Sequence, residues 1–258
     1  MNNLSGISKL NQKRLTTIID TAYNTITIEE AAIILRMPKN EAAKLMSRWV
    51  EQGRIVRIKR GLYLSIKPEE RTLSVRDSWV IATKIYSPCY IGALSAAEHW
   101  GLTNQKFSGI QVLSTQKPRN RNLSINNIPF SIRTISQHAM FGLESITHQQ
   151  EDVFVSNPSR TIIDFLVDPQ LGGGIYHVMD IFNKYLKSEH RNVELLFAYA
   201  KKVLIGAVLK RLGFLSERCQ SGEFGIIDYC HLLKNSGYVK LDPKLGGNKL
   251  LTRWGLWV

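Results

Sequence analysis

From Thr27 to Leu64 the chain carries two helical stripes of apolar residues and then a short strand-like pattern, TIEEAAIILRMPKNEAAKLMSRWVEQGRIVRIKRGLYL. Ile28, Ala31, Ile34 and Leu35 have the spacing of one buried helix face. Thr27 and Glu30 stand three apart at its start, where hydroxyl and carboxylate can each satisfy an unpaired backbone amide. Met37-Pro38 interrupts the stripe, because proline disfavours α geometry in the residue before it, and Pro38 is expected as the first residue of a second helix. In that helix Ala42, Leu45, Met46, Trp49 and Val50 share one face. Asn40, Ala43, Lys44 and Ser47 share the opposite one, with Lys39 and Arg48 at its border. Gly53 is expected as the left-handed residue beyond the helix end, and Ile55, Val56, Ile58, Leu62 and Leu64 form a hairpin around a turn at Lys59-Arg60-Gly61. Upstream, Leu15, Ile18, Ile19 and Ala22 predict another amphipathic helix, opening near Ser8 or Asn11.

A helix, a tight turn, a second helix and a basic hairpin, in that order, form the layout of a winged helix-turn-helix. Double-stranded DNA is therefore the first partner to expect. The outer face of the second helix is small, polar and basic, as contact with a groove requires. Its candidate DNA contacts are Lys39, Asn40, Lys44, Ser47 and Arg48, with Thr27 at the start of the preceding helix. Arg54, Arg57, Lys59 and Arg60 would project along the wing towards phosphates, adding affinity and salt dependence but little sequence choice.

Beyond the wing, Ser74 and Asp77 frame a further helix, VRDSWVIATKIY, and Leu94 to Trp100 forms a short one stopped by Gly101. IQVLST, NLSI, IPFSIRTI and EDVFVSN are strand-like runs separated by Pro, Asn and Gly. From Pro158 to about residue 236 the pattern is helical. Strands followed by helices indicate an α+β class rather than alternating βαβ units. The expected domains are 1–70, the winged helix, and 71–258, a larger mixed domain that is strand-rich to about 157 and mainly helical after it. In NPSRTIIDFLVDP, Pro158 suits a first helical position, and Arg160 and Asp164 stand one turn apart, able to pair across the surface. Gly172-Gly173-Gly174 lacks the Lys-Ser/Thr ending of a phosphate loop and reads as a flexible hinge.

Charge sharpens this picture. The chain holds 34 basic and 21 acidic residues, a formal +13, and between Arg36 and Arg60 eight bases meet two acids. A second basic run, KPRNRNLSI with Lys117, Arg119 and Arg121, reads equally as a nucleic-acid contact, a surface for an acidic partner or a solvated loop. No apolar run approaches the about 20 residues of a membrane span, and MNNLSGISKL lacks the apolar core of a signal peptide, so a cytoplasmic protein is expected. Three cysteines, Cys89, Cys219 and Cys230, include no CxxC pair and argue against a disulfide framework or a cysteine-rich zinc site. Cys230 beside His231 reads as a half-buried thiol next to a surface histidine. No DxD, HExxH, GxSxG or GxxxxGK[ST] motif occurs, and His99, His138, His148, His177 and His190 share no spacing. Neither catalysis nor any cofactor or metal is therefore expected, although a site can be assembled from distant residues.

Several segments in order resemble the AbiEi family of antitoxins, the transcriptional-regulator half of type IV toxin–antitoxin systems. They are RIVRIKRGLYL, YIGALSAAEHWGL with the QVLST strand, FVSNPSRTIIDFLVDP, AVLKRLGFL from Ala207 to Leu215, and RWGLWV. The resemblance implies a repressor that binds inverted repeats in its own promoter through the N-terminal domain. Its C-terminal domain would counter a nucleotidyltransferase toxin without forming a stable complex with it. Carried over by position, the outer-face residues and wing bases match the DNA-binding module, while Arg160, Asp164 and Arg211 are motif positions of the antitoxin domain. Two other readings stay open: a nuclease or nucleotidyltransferase delivered by a winged helix, and a ligand-sensing regulator.

Overall fold

The computed structural model describes residues 8–22, 25–65, 75–118, 121–125, 127–148, 151–219, 224–233 and 235–258. Helices and strands are mixed, in keeping with an α+β class, and the chain divides into two units. The first comprises Met1–Ile85 with Ile125–Asn127 and His148–Glu151; the second comprises Tyr86–Ser124, Ile128–Thr147 and Asp152–Val258. The boundary expected near residue 70 falls outside the described residues, as do Ser74 and Arg119.

The first unit runs α1 (Lys9–Thr21), β1 (Thr25–Thr27), α2 (Ile28–Ile34), α3 (Lys39–Glu51), β2 (Val56–Lys59), β3 (Leu62–Leu64) and α4 (Val75–Tyr86), the last grouping here as far as Ile85. Ser8 caps α1 by accepting from the Asn11 amide at 3.4 Å. Thr27 and Glu30 form the reciprocal pair expected at the start of α2: the Thr27 amide donates to Glu30 Oε2 at 2.7 Å, and the Glu30 amide donates to Thr27 Oγ1 at 3.2 Å. Pro38 stands one place earlier than expected. It is the residue before α3, in an extended conformation, and its carbonyl accepts from the Glu41 and Ala42 amides. At the other end of α3, Gly53 has φ 65°, which lets the Arg54 amide reach the Trp49 carbonyl and the Gly53 amide reach that of Val50. β2 and β3 pair antiparallel around Arg60-Gly61, where Gly61 has φ 82°. β1, which carries no sequence signal of its own, pairs with the other side of β3 to give the order β1-β3-β2. Leu15, Ile18, Ile26, Ala31, Leu45, Met46, Trp49 and Tyr63 fill the core.

The second unit starts with β4 (Cys89–Ile91), α5 (Ala93–His99), β5 (Ile110–Ser114), β6 (Asn122–Ile125), β7 (Ile128–Thr134), β8 (Leu143–His148) and β9 (Glu151–Ser156). These strands form a mixed sheet in the order β6-β7-β5-β4-β9-β8, with β4–β5 antiparallel and β5–β7 and β4–β9 parallel. There follow α6 (Pro158–Val167), α7 (Ile175–Lys187), α8 (Val193–Val203), α9 (Gly206–Arg218) and α10 (Phe224–Leu233). Three short strands, β10 (Val239–Lys240), β11 (Leu250–Leu251) and β12 (Leu256–Trp257), form a second sheet in which β10 and β12 run parallel. Trp254 and Leu256 enter the same core as Tyr90, Phe165 and Phe182.

Two expectations for this unit need correction. The glycine triplet is no loose hinge: a side chain on Gly172 would collide with Val178 and Phe165, and the Ile175 amide beyond it is fixed by Asp242 Oδ2 at 2.9 Å. Helix α6 is not half-exposed either. Every residue from Pro158 to Leu166 is buried, because its small hydroxyls are satisfied internally, Ser159 by Tyr185 Oη at 2.9 Å and Thr161 by the Asn157 carbonyl at 2.9 Å.

Candidate nucleic-acid interface

The core-facing stripe of α3, with Ala42, Met46 and Trp49 no more than 1% exposed, fixes the helix and leaves its other face outward. Lys39, Asn40, Lys44, Ser47 and Arg48 are all exposed. Lys39 is paired with Glu29 of α2, and Asn40 Oδ1 accepts from the Glu41 amide at 2.9 Å. Lys44, Ser47 and Arg48 lie one turn apart or adjacent on this surface. Thr27 is half-buried, and its hydroxyl also donates to Glu30 Oε2 at 2.9 Å, so the cap fully engages it.

On the hairpin, Arg57 and Arg60 are exposed and Arg54 is half-buried. Lys59 departs from the expectation of a wing base directed at phosphate. Its ammonium donates to the carbonyls of Lys84 at 3.3 Å and Ile85 at 3.1 Å. Those groups end α4, where carbonyls lack helical partners and the helix dipole favours a cation. Of the expected contact bases, Lys44 and Arg48 on the helix and Arg57 and Arg60 on the hairpin are exposed and, among the described residues, carry no pairing of the kind that engages Lys39 and Lys59.

In the second unit the motif residues form a buried network, and the expected surface pairing of Arg160 with Asp164 is corrected. Their side chains are 3% and 2% exposed, and Arg160 Nη2 lies 2.9 Å from Asp164 Oδ1. The same nitrogen donates to Tyr90 Oη at 3.0 Å, and Tyr90 donates to Asp164 at 3.0 Å. Burial raises the Asp164 carboxyl to about 6, against the opposing pull of Arg160 and the Tyr90 hydrogen bond. Burial and the nearby Asp164 together hold the Tyr90 phenol well above its ordinary range. The guanidinium carbon of Arg160 also lies 4.3 Å from the Phe141 ring centroid. Phe141 carries no sequence signal, and Tyr90 enters only as the first residue of YIGALSAAEHWGL.

Arg211 acts elsewhere in the same core. Its guanidinium donates to the carbonyls of Leu241 at 2.9 Å, Leu166 at 2.8 Å, Val167 at 3.1 Å and Lys240 at 2.8 Å. It therefore joins the C-terminal end of α6 to β10. The histidines stay separate: His148 Nε2 meets Asp77 at 2.9 Å, and His177 Nδ1 meets the Gly172 carbonyl at 2.8 Å. Cys230 is fully buried rather than half-buried, and burial pushes its thiol up to about 12, while His231 is exposed. Among the described residues no group of His, Cys, Asp or Glu could hold a metal ion, and no helix is long and apolar enough to cross a membrane. Compared with protein-family models and with curated proteins, the chain shows no match.

Proposed function

We propose that this protein is a DNA-binding autorepressor that reads its own promoter through a winged helix-turn-helix, and the antitoxin of a type IV toxin–antitoxin pair. The observation that carries the DNA reading is the outward face of α3: Lys44, Ser47 and Arg48 are exposed on a helix anchored by Trp49 and Met46. It is supported by the order α1-β1-α2-α3-β2-β3 with a β1-β3-β2 sheet and a hairpin bearing Arg57 and Arg60. Such a helix suits the major groove, and such a hairpin suits the adjoining backbone. The reading entails a cytoplasmic protein that acts by binding and not by turnover. Its antitoxin half is supported by the resemblance of NPSRTIIDFL and KRLGFL, and the expected opponent is a nucleotidyltransferase toxin countered without a stable complex.

The test is a salt-series titration of the full chain on its own upstream DNA against a scrambled duplex. Wild-type protein should prefer the upstream DNA. Lys44→Ala or Arg48→Ala should weaken that binding by about 1–3 kcal/mol if the side chain meets a base edge. Equal binding to both duplexes, or wild-type affinity in both variants, would overturn the assignment. Co-expression with the toxin should restore growth, and failure to do so would remove the antitoxin half while leaving DNA binding intact.

A further inference from the structure

A cavity of about 410 Å³ lies in the second unit between β7, the turn Gln137–Ala139, α6 and the loop joining α8 to α9. Much of its wall is aliphatic, including Ile135, Val167, Leu171, Val203 and Ile205. Arg160 and Asp164 belong to the same wall, and Phe141 lines it beside them. Exposed Lys202 and Leu204 stand at its border.

Arg160 is incompletely satisfied there. A guanidinium has five N–H donors. The two on Nη2 are directed to Tyr90 and Asp164. Nε and Nη1 carry the remaining donors, are buried, and meet no hydrogen-bond partner among the described residues. Unpaired donors on a buried cation are costly, and stacking on Phe141 compensates for them only in part. These nitrogens expose almost no surface, so an acceptor from the cavity reaches them only by displacing a neighbouring side chain, and in doing so would remove that cost.

The charges around the cavity limit what such an acceptor can be. Arg133, Arg160 and Lys202 are basic, while Asp164 and Asp168 are acidic and pair with Arg160 and Arg133 at 2.9 Å each. This balance favours a single negative charge, since a dianion would face two carboxylates at close range. Lys202 Nζ, 4.5 Å from the Phe141 ring centroid, adds positive potential at the border. The aliphatic wall calls for an apolar body on the ligand. We propose that this cavity binds a small organic monocarboxylate with an apolar or aromatic body. Its carboxylate accepts from the free N–H groups of Arg160, and its body packs against Phe141 and the aliphatic wall.

Isothermal titration of the full chain tests this with benzoate and hexanoate as probes, benzamide as the neutral isostere of benzoate, and inorganic phosphate as competitor. Benzoate and hexanoate should saturate the protein, and benzamide should bind at least about tenfold more weakly, because it lacks the charge that strengthens the bond to Arg160. Phosphate should leave benzoate binding unchanged. Two substitutions at exposed lining positions locate the site without disturbing the core: Lys202→Glu, at the border, should weaken benzoate severalfold, and Ile205→Trp, in the wall, which fills the cavity, should abolish its binding. Absence of saturation overturns the proposal, as does equal affinity for benzamide, competition by phosphate, or indifference to both substitutions. No DNA enters the assay, so its outcome is separate from that of the promoter-binding test.

Discussion

Replacing Asp164 by asparagine should shift the stability of the second unit, relative to the wild type, progressively in the variant's favour as pH rises from 4 to 7. Asp164 is fully enclosed, with Arg160 and Tyr90 as its donors, and burial raises its carboxyl from the ordinary 3.8 to about 6. The unfolded chain releases this proton near its ordinary value, and the folded chain releases it only near the raised one. Between the two the folded state binds more protons, so this carboxyl's contribution to stability is complete below the lower value. It declines as pH rises through the window and is lost above the upper value. The gap corresponds to on the order of 3 kcal/mol. Asp164→Asn keeps a carbonyl acceptor for Arg160 and Tyr90 but cannot ionise, so its stability lacks that decline. Hydrogen exchange of the buried α6 amides, corrected for the intrinsic pH dependence of exchange, reads the second unit without the first. A difference between variant and wild type that stays flat across the window, or that grows in favour of the wild type, would refute the reasoning. The attraction of Arg160 would then exceed the cost of desolvating the pair.

Other substitutions probe other parts of the argument. Gly213→Ala places a Cβ in collision with the edge of the Trp254 ring, which is 1% exposed, and should cost about 2 kcal/mol or more in thermal unfolding. Arg211→Lys cannot reproduce a planar fork on the carbonyls of Leu166, Val167, Lys240 and Leu241, and a loss of about 3 kcal/mol is expected in denaturant unfolding. Arg57→Ala and Arg60→Ala should each reduce the slope of log affinity for DNA against log salt by about 1. Lys59→Ala should leave that slope near its wild-type value, because its ammonium is engaged at the end of α4.

Local rules made the first unit readable. The Thr27–Glu30 box, the break at Met37-Pro38 and Gly53 each fix a helix end within a few residues, and all act through backbone chemistry that a short window contains. Strands β5, β6, β7 and β9 were legible from β-branched runs for the same reason. β4 was not, because Cys89, Tyr90 and Ile91 are all buried and a strand covered on both faces has no alternation to detect. The spacing of Arg160 and Asp164 predicted their pairing but not their burial. A pattern of apolar residues on one side implies solvent on the other, whereas α6 is enclosed by partners such as Tyr90 and Tyr185, far away in sequence. The tether of Lys59 escaped notice for the same reason, since its acceptors are backbone carbonyls more than twenty residues on and have no side-chain signature.

The seat of Trp254 against Gly213, and of β12 beside β10, bears on how the chain is made. The core around α6 shares its interior with residues as late as Leu256. At roughly 5–20 residues per second, α6 leaves the ribosome on the order of ten seconds before those last partners exist. During that interval Phe165 and Phe182 have no Trp254 to pack against, and the nascent chain presents apolar surface that chaperones bind. The core around α6 is thus complete only once β10, β11 and β12 have been made.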